Sequence, residues 1–137
     1  FFPTRRSSDL LREHAPTLNF DVSVPVARIG ECAARVRANL ERDWPQLQAL
    51  FFGHVGDGNL HVVVCKVPQD EPSVHAIEAA VYDVVRDEGG SVSAEHGIGR
   101  LKRDWLAHSR SAAEIALMRT LKHALDPQGI LNPGKLL

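Results

Sequence analysis

Two pairs of residues in this chain have the side-chain chemistry of a metal or acid–base site. The first pair, His54 and His61, flanks a glycine-rich turn in the segment FFGHVGDGNLH, residues 51 to 61. If residues 55 to 58 form a hairpin loop, His54 opposes Asn59, and both share a sheet face with His61 because side-chain direction alternates along a strand. The two imidazoles are then close enough to bind one ion. The alternative is a pair of half-buried strand histidines.

The second pair, Glu95 and His96, ends a strand-like segment directly before Gly97-Ile98-Gly99. A carboxylate and imidazoles suit a zinc-like or manganese-like ion, and a further imidazole nearby can serve as a base. Either cluster alone is more often a structural feature than a metal or acid–base site. Two clusters at glycine-rich breaks, however, favour one shared site. Neighbours on an extended chain point to opposite sides, so Glu95 and His96 are expected to play different roles unless the backbone turns at Gly97.

Composition limits the classes of protein to which the chain can belong. Its 137 residues are 44% hydrophobic and 24% charged, as expected for one globular domain. The net charge of -1 gives no electrostatic argument for binding nucleic acid. No apolar run approaches the roughly 20 residues of a membrane span. Cys32 and Cys65 are expected to be unpaired core residues in a reducing compartment, which predicts a cytoplasmic location.

The spacing of apolar residues predicts the order β-α-β-β-α-β, which is that of a ferredoxin-like α+β domain with its helices on one face of the sheet. Two C-terminal helices follow, the second of which begins at a capping box formed by Ser111 and Glu114. The elements before them are a strand at 20–26, a helix at 29–40, hairpin strands at 49–52 and 60–67, a helix at 74–85 capped by Ser73, and a short strand at 91–94.

This strand order creates a difficulty for a shared site. In the simplest ferredoxin-like arrangement, the fourth strand carries Glu95 away from the end of the sheet that holds His54 and His61. One site therefore requires either a modified sheet or a return of the Gly97–Gly99 loop across it. Within the hairpin loop, Asp57 is expected to fix the turn by bonding its own backbone rather than to bind an ion.

The first ten residues, FFPTRRSSDL, fit neither a helical nor a strand period. They look like the in-frame translation of a sequencing-library adapter, and we therefore expect residues 1–10 to be non-native. The alternative is an ordinary, weakly basic arm. If the segment is non-native, residues 11–137 are a C-terminal piece of a larger protein.

Three motifs, GHVGDGNLH, SAEHGIGR and LDPQGILNPGK, occur in this order. They resemble the C-terminal domain of the FAD-linked oxidases that act on 2-hydroxy acids, a group that includes D-lactate dehydrogenases, the glycolate oxidase flavoprotein subunit and D-2-hydroxyglutarate dehydrogenase. DVSVP, residues 21–25, is similar to the first strand of that family, and the resemblance covers residues 18–137. It implies that residues 11–137 are the cap and substrate domain of a flavoprotein, truncated from a separate N-terminal domain that binds most of the FAD.

The resemblance implies a role for each residue of the two clusters. His54, His61 and Glu95 would hold a divalent metal, zinc or manganese, His96 would be the catalytic base, and Asn59 would face the substrate. The implied reaction oxidises a D-2-hydroxy acid to the 2-oxo acid by hydride transfer to flavin. The electron acceptor is left open, and the chain alone is expected to bind FAD weakly or not at all and to be inactive.

The C-terminal motif and two departures from the family qualify this assignment. Asn132 and Lys135 resemble the segment that runs toward the flavin, although a simple C-terminal turn is the alternative. Hydroxyglutarate-type members have a lysine where this chain has Asn19 and an asparagine where it has Val63. Both changes remove groups that would bind a distal carboxylate, which favours a smaller acid such as lactate or glycolate. A stand-alone metal-dependent hydrolase is the alternative from another class, and a purely structural or interaction domain is the third.

Overall fold

A three-stranded antiparallel sheet forms the centre of the computed structural model, which describes residues 15–137. The strands are β1 (Thr17–Ser23), β2 (Gln48–Phe52) and β3 (Asn59–Cys65). β3 lies in the middle and runs antiparallel to both neighbours, so β1 and β2 are parallel to each other. Every residue of β3 except His61 is buried, which agrees with the valine-rich sequence of a central strand. The predicted non-native segment, residues 1–10, lies outside the described residues.

Two long helices cover one face of this sheet, α1 (Ile29–Asp43) and α2 (Glu71–Asp87). Their buried residues recur every three or four positions, as in any helix with one apolar face. Phe20, Val22 and Val62 of the sheet contribute to the same core. The predicted α+β class, with helices on one face, is therefore confirmed. The buried residues are Ile29, Cys32, Val36 and Leu40 on α1, and Ile77, Val81, Tyr82, Val84 and Val85 on α2.

The helix ends follow the sequence prediction in one case and depart from it in another. The third helix, α3 (Ala112–Leu125), begins at the predicted capping box of Ser111 and Glu114. In α2 the predicted cap, Ser73, is wrong, because the helix begins at Glu71, three residues earlier than predicted, and Asp70 accepts the N–H of Ser73. A 3-10 segment at Arg103–His108 replaces the predicted first C-terminal helix.

The predicted fourth strand at 91–94 is reduced to a single antiparallel bridge between Ser23 and Ser91. The bridge lies beside β1, so the chain follows the ferredoxin-like path without completing the last strand. The reason is that the residues directly after Ser91 make hydrogen bonds away from β1. The N–H of Val92 donates to the hydroxyl of Ser109 at 2.8 Å, and the Ser93 hydroxyl donates to the Gly97 carbonyl at 3.0 Å.

The predicted hairpin between β2 and β3 is confirmed, including its register. Phe52 pairs with His61, and the N–H of Asn59 donates to the carbonyl of His54 at 3.2 Å. A short 3-10 turn, Val55–Asp57, forms the loop. His54 itself lies beyond the last residue of β2, and β3 ends at Cys65 rather than at the predicted residue 67.

Two further predictions concern cysteines and membranes. Cys32 and Cys65 are buried and free, as predicted, while the cytoplasmic location inferred from them stays a prediction. Within residues 15–137, no helix combines the length and the apolar character that crossing a bilayer requires.

An ion-pair cluster around one buried carboxylate joins the two helices that cover the sheet. Glu88, at the end of α2, has a fully buried side chain, and its carboxylate is paired with Arg28 at 2.6 Å and with Arg35 of α1. Hydrogen bonds from Arg28 and Arg35 outweigh the effect of burial and hold the pKa of the Glu88 carboxyl below its ordinary value of 4.5. The cluster therefore stabilises the fold only while this carboxylate is ionised.

The cluster predicts how the stability of the fold depends on pH. A carboxyl whose pKa is lowered by folding contributes stability above its unfolded pKa, and this contribution is lost as the pH falls through the folded pKa. We expect the urea midpoint of the wild type to fall more steeply than that of Glu88→Gln between about pH 5 and pH 3. Glu41→Gln, which changes an exposed carboxylate on α1, is the control. Parallel slopes for the wild type and Glu88→Gln would contradict the assignment.

Gly90 predicts a second effect on stability, because it allows the chain to cross β1 closely. A Cβ at this position would overlap the carbonyl oxygen of Ser23 and crowd Val24 and Val85. We expect Gly90→Ala to lower the free energy of unfolding by about 1 to 3 kcal/mol, as for other overpacked sites. Gly30→Ala, at an exposed helical position with open space around it, should instead raise it by about 0.4 to 1 kcal/mol. Urea denaturation followed by circular dichroism measures both, and equal effects would refute the argument.

Candidate functional site

The sheet face opposite the helices carries a polar pair at its centre. Phe20 and Val22 belong to the helix-covered core, so Asp21 between them must face the other way. Its partner across β1 and β3 is His61, whose Nδ1 lies 3.7 Å from Asp21 Oδ1. Asp21 is only 2% exposed. A buried carboxylate of this kind requires hydrogen bonds or opposite charges around it.

The segment that contains Glu95 and His96 supplies those hydrogen bonds. Asp21 Oδ2 accepts the backbone N–H of Glu95 at 2.9 Å and that of His96 at 2.8 Å. The N–H of Ala94 donates to the Asp21 carbonyl at 3.2 Å. Two successive N–H groups that point to one oxygen are incompatible with an extended strand, in which they would point to opposite sides. The backbone therefore turns at residues 95 and 96, before the expected turn at Gly97.

This turn resolves the difficulty that the strand order had raised. The chain reaches β1 at the Ser23–Ser91 bridge, and it bends before the fourth strand can extend along the sheet. Glu95 and His96 therefore lie beside Asp21. A shared site required a modified sheet, and the modification is that the fourth strand is shortened to a single bridge.

Lys102 provides a further connection between β1 and the segment that leads to Glu95 and His96. Its Nζ donates to the carbonyl of Asp21 at 3.1 Å and to the carbonyl of Val92 at 2.8 Å. Burial lowers the pKa of the Lys102 ammonium, against the opposing attraction of Asp21. One ammonium group thus connects β1 with the residues that lead to Glu95 and His96.

The balance of these contacts keeps Asp21 ionised. Burial alone would raise the pKa of the Asp21 carboxyl. The N–H groups of His96 and Glu95, together with the nearby charges of His96 and Lys102, bring that pKa below its ordinary value. The site therefore contains a buried negative charge at neutral pH.

Two histidines, His61 and His96, lie beside this carboxylate, and a third, His54, is a neighbour of His61. The ring of His61 lies between the other two, 6.3 Å from the ring of His54 and 6.1 Å from that of His96, measured between centroids. His96 Nδ1 lies 3.7 Å from Asp21 Oδ2. The His96 side chain is 69% exposed and that of His61 18%. His96 is thus the more accessible of the two imidazoles beside Asp21.

Of the predicted metal set, the structure places Glu95 in a group of candidate ligands, together with the predicted base His96 and with Asp21. In the described part of the chain, the candidate ligand atoms of Asp21, Glu95 and His96 lie within 4.8 Å of one another. His54 and His61 lie outside that group, and His61 is adjacent to it through Asp21. The proposed set of His54, His61 and Glu95 therefore stays a prediction.

Asp21 is a residue of the candidate site that the sequence analysis missed, although it noted the DVSVP motif. The available signal was a charged residue inside the apolar run Phe20-Asp21-Val22 of a strand. Its burial was not predictable from that run, because the covering segment is 74 residues away in sequence.

Asn59 is the other buried polar residue on this face, and it is 3% exposed. Among the described residues, both polar atoms of its side-chain amide lack a hydrogen-bond partner, and so does Asp21 Oδ1. Buried polar atoms without partners are rare because they cost free energy. These three atoms mark the face as a place for a polar ligand.

The C-terminal motif lies against the glycine loop that follows His96. The N–H of Leu136 donates to the carbonyl of Gly99 at 2.8 Å, and Asn132 has a left-handed φ of 47°. The C-terminal motif and the glycine loop together line a groove of about 650 Å³. Its lining consists of Gly97, Ile98, Gly99, Lys122, Leu131, Asn132, Lys135 and Leu136. Asn132 and Lys135 thus lie near the candidate site, with their cofactor role still a prediction.

Comparison with known proteins agrees with the motifs. Residues 2–136 match the family model described as FAD linked oxidases, C-terminal domain. D-2-hydroxyglutarate dehydrogenases of Stutzerimonas stutzeri and Xanthomonas citri are 38% and 43% identical over 134 and 136 residues, and the mitochondrial D-2-hydroxyglutarate dehydrogenase of Danio rerio is 38% identical over 132. These alignments cover 94%, 94% and 96% of the chain and 29%, 28% and 24% of the relatives.

The chain therefore spans about a quarter of the length of the curated relatives it matches. The matched family and these relatives give no support to the alternative of a stand-alone metal hydrolase.

Proposed function

Because the chain belongs to the family of FAD-linked oxidase C-terminal domains, we propose that it is the substrate and cap domain of an FAD-dependent dehydrogenase. The reaction oxidises a D-2-hydroxy acid to the corresponding 2-oxo acid. The observation that carries the proposal is the meeting of two distant motifs on one polar sheet face, where Asp21, Glu95 and His96 lie together. The separate FAD-binding domain is the partner that this function requires.

A divalent metal fits the residues of this face on chemical grounds. Two imidazoles and a carboxylate form a donor set typical of zinc and also suited to manganese, and the buried charge of Asp21 favours a cation beside it. We assign His54, His61 and Glu95 as the residues that would hold the ion. A bound metal would stabilise negative charge on the hydroxyl and carboxylate oxygens of the substrate.

His96 is the proposed base. Its exposed imidazole can meet the substrate hydroxyl, and its Nε2 would take the hydroxyl proton as C2 is oxidised. Bound FAD supplies the acceptor for the electron pair and hydrogen that leave C2. Asn59 would offer its unpartnered amide to the substrate, which orients the acid while the proton moves. Asn132 and Lys135, in the groove behind the glycine loop, would contact the cofactor.

The size of the substrate follows from the next residue pair along the same face. Asn19 and Val63 are cross-strand partners, two residues beyond Asp21 and His61 on their strands. An exposed amide and a buried valine offer no cation to a second carboxylate. The names of the relatives give D-2-hydroxyglutarate as the substrate of those proteins. For this chain we propose a smaller monocarboxylic 2-hydroxy acid, such as lactate or glycolate.

The division of roles predicts different outcomes for two histidine substitutions in the flavoprotein that contains this chain. His96→Ala should lower turnover by about 10² to 10⁴ while bound metal stays nearly unchanged, because loss of a general base typically has this effect. His54→Ala should lose metal and activity together. His123→Ala, at an exposed position on α3, is the control. Elemental analysis of each purified variant, beside steady-state kinetics, makes the comparison.

Two results of that comparison would contradict the assignment. Loss of metal in His96→Ala would mean that His96 is a ligand. Absence of metal from the wild type after loading with zinc or manganese would remove the metal from the proposal.

The substrate proposal predicts a change of specificity in the same flavoprotein. Asn19→Lys should raise kcat/KM for D-2-hydroxyglutarate relative to lactate by roughly ten-fold or more, because an ammonium at this position can form a charge-assisted hydrogen bond with the distal carboxylate. Asn19→Gln keeps the position polar but uncharged and should leave the ratio near that of the wild type. If the wild type already prefers hydroxyglutarate over lactate and glycolate, the proposal of a smaller substrate is wrong.

A further inference from the structure

We propose that Asp21 is a positioning residue of this site, whose carboxylate fixes both a backbone segment and the orientation of two imidazoles. The segment is Glu95–His96, and the imidazoles are those of His61 and His96. This inference rests on the proposed function, because it concerns how the proposed ligand and base are held. It assigns a purpose to the buried carboxylate that the described part of the chain places on the polar face.

The first part of the inference concerns the backbone. Asp21 Oδ2 accepts two successive N–H groups, from Glu95 and His96, at 2.9 and 2.8 Å. Hydrogen bonds to an ionised acceptor are about twice as strong as neutral ones. Asp21 also sits on β1, next to the central strand, so it is itself rigidly placed. The proposed ligand Glu95 and the proposed base His96 are thus attached to the sheet through one side chain.

The second part concerns the imidazole rings. Nδ1 of His61 faces Asp21 Oδ1, and Nδ1 of His96 faces Asp21 Oδ2, each at 3.7 Å. This separation is longer than a hydrogen bond, so the contact is electrostatic. A carboxylate beside Nδ1 favours the tautomer that carries its proton there. Nε2 of each ring is then left with its lone pair, as a ligand atom on His61 and as a proton acceptor on His96.

This arrangement has the same partners, at a distance longer than a hydrogen bond, as the usual one in which proteins prepare a ligand histidine. A metal-binding imidazole nearly always donates its other N–H to a carboxylate or carbonyl, and loss of that partner costs about 10- to 100-fold in metal affinity. Here one carboxylate faces two rings at once. The groups that surround it are Lys102 from the far side of the segment and the two imidazoles from the open face.

The test uses the 137-residue chain and the near-isosteric variant Asp21→Asn, which keeps one acceptor oxygen but removes the charge. Asp104→Asn, an 85%-exposed carboxylate, is the matched control. Three quantities are measured: hydrogen exchange of the Glu95 and His96 amides, the tautomers of His61 and His96 from ¹⁵N imidazole shifts at about pH 8.5, where free imidazole is neutral, and zinc affinity by calorimetry.

We expect the two amides to exchange roughly ten-fold faster or more in Asp21→Asn. Both rings should carry their proton on Nδ1 in the wild type and move toward the Nε2–H form in the variant. Zinc affinity should fall by about 10- to 100-fold, while Asp104→Asn matches the wild type in all three measurements. A merely structural role for Asp21 would not change the tautomers.

The outcomes separate this inference from the proposed function. Nε2–H tautomers for both rings in the wild type would overturn the positioning role, whether or not the variant folds. Unchanged exchange, tautomers and zinc affinity in Asp21→Asn would overturn it as well, even where His61→Ala abolishes zinc binding. A wild-type chain that binds no zinc would count against the proposed metal site alone, because exchange and tautomers would still decide the role of Asp21.

Discussion

The carboxylate of Asp21 joins parts of the chain that are 74 residues apart, and the polar face of the sheet depends on this junction. A buried carboxylate is costly unless its oxygens are bonded or opposite charges lie nearby. Two backbone N–H groups and the neighbouring cationic groups meet that requirement and lower the pKa of Asp21. The same contacts that keep the charge stable also bring Glu95 and His96 to the strands that carry His61. The hydrogen bonds and charges around Asp21 therefore both stabilise the buried carboxylate and position the site residues.

The core on the other face of the sheet makes this junction possible. Strand alternation sends Phe20 and Val22 toward the helices and so commits Asp21 to the open face. The ion pairs of Glu88 with Arg28 and Arg35 hold the end of α2 close to α1, and the chain then passes directly through Gly90 to β1. The site residues are thus held in position by the core on the opposite face of the sheet, to which they do not belong.

The local parts of this structure were predictable from the sequence, and the long-range parts were not. The glycines between two runs of β-branched residues predicted the hairpin and the pairing of His54 with Asn59. This was possible because the hairpin and its register depend on residues within the loop itself. The cap of α2 was misplaced to Ser73 because Asp70, three residues earlier, caps the helix by accepting the N–H of Ser73 itself. The shortened fourth strand depends on the Ser109 hydroxyl, 17 residues beyond Val92. No local pattern contains that information, and the burial of Asp21 has the same origin.

The turn at residues 95 and 96 changes the basis on which ligand and base can be told apart. On an extended strand, Glu95 and His96 would face opposite sides, and their roles would follow from direction alone. Here both N–H groups meet one oxygen, and the ligand atoms of both side chains lie within 4.8 Å of each other and of Asp21. Direction therefore no longer separates Glu95 from His96, and both residues are exposed. Exposure instead separates the two imidazoles beside Asp21. The His96 imidazole is 69% exposed and that of His61 18%. A base must reach a substrate that enters from solvent, whereas a ligand is best held by surrounding groups, so the more exposed ring is the better base and the more enclosed ring the better ligand.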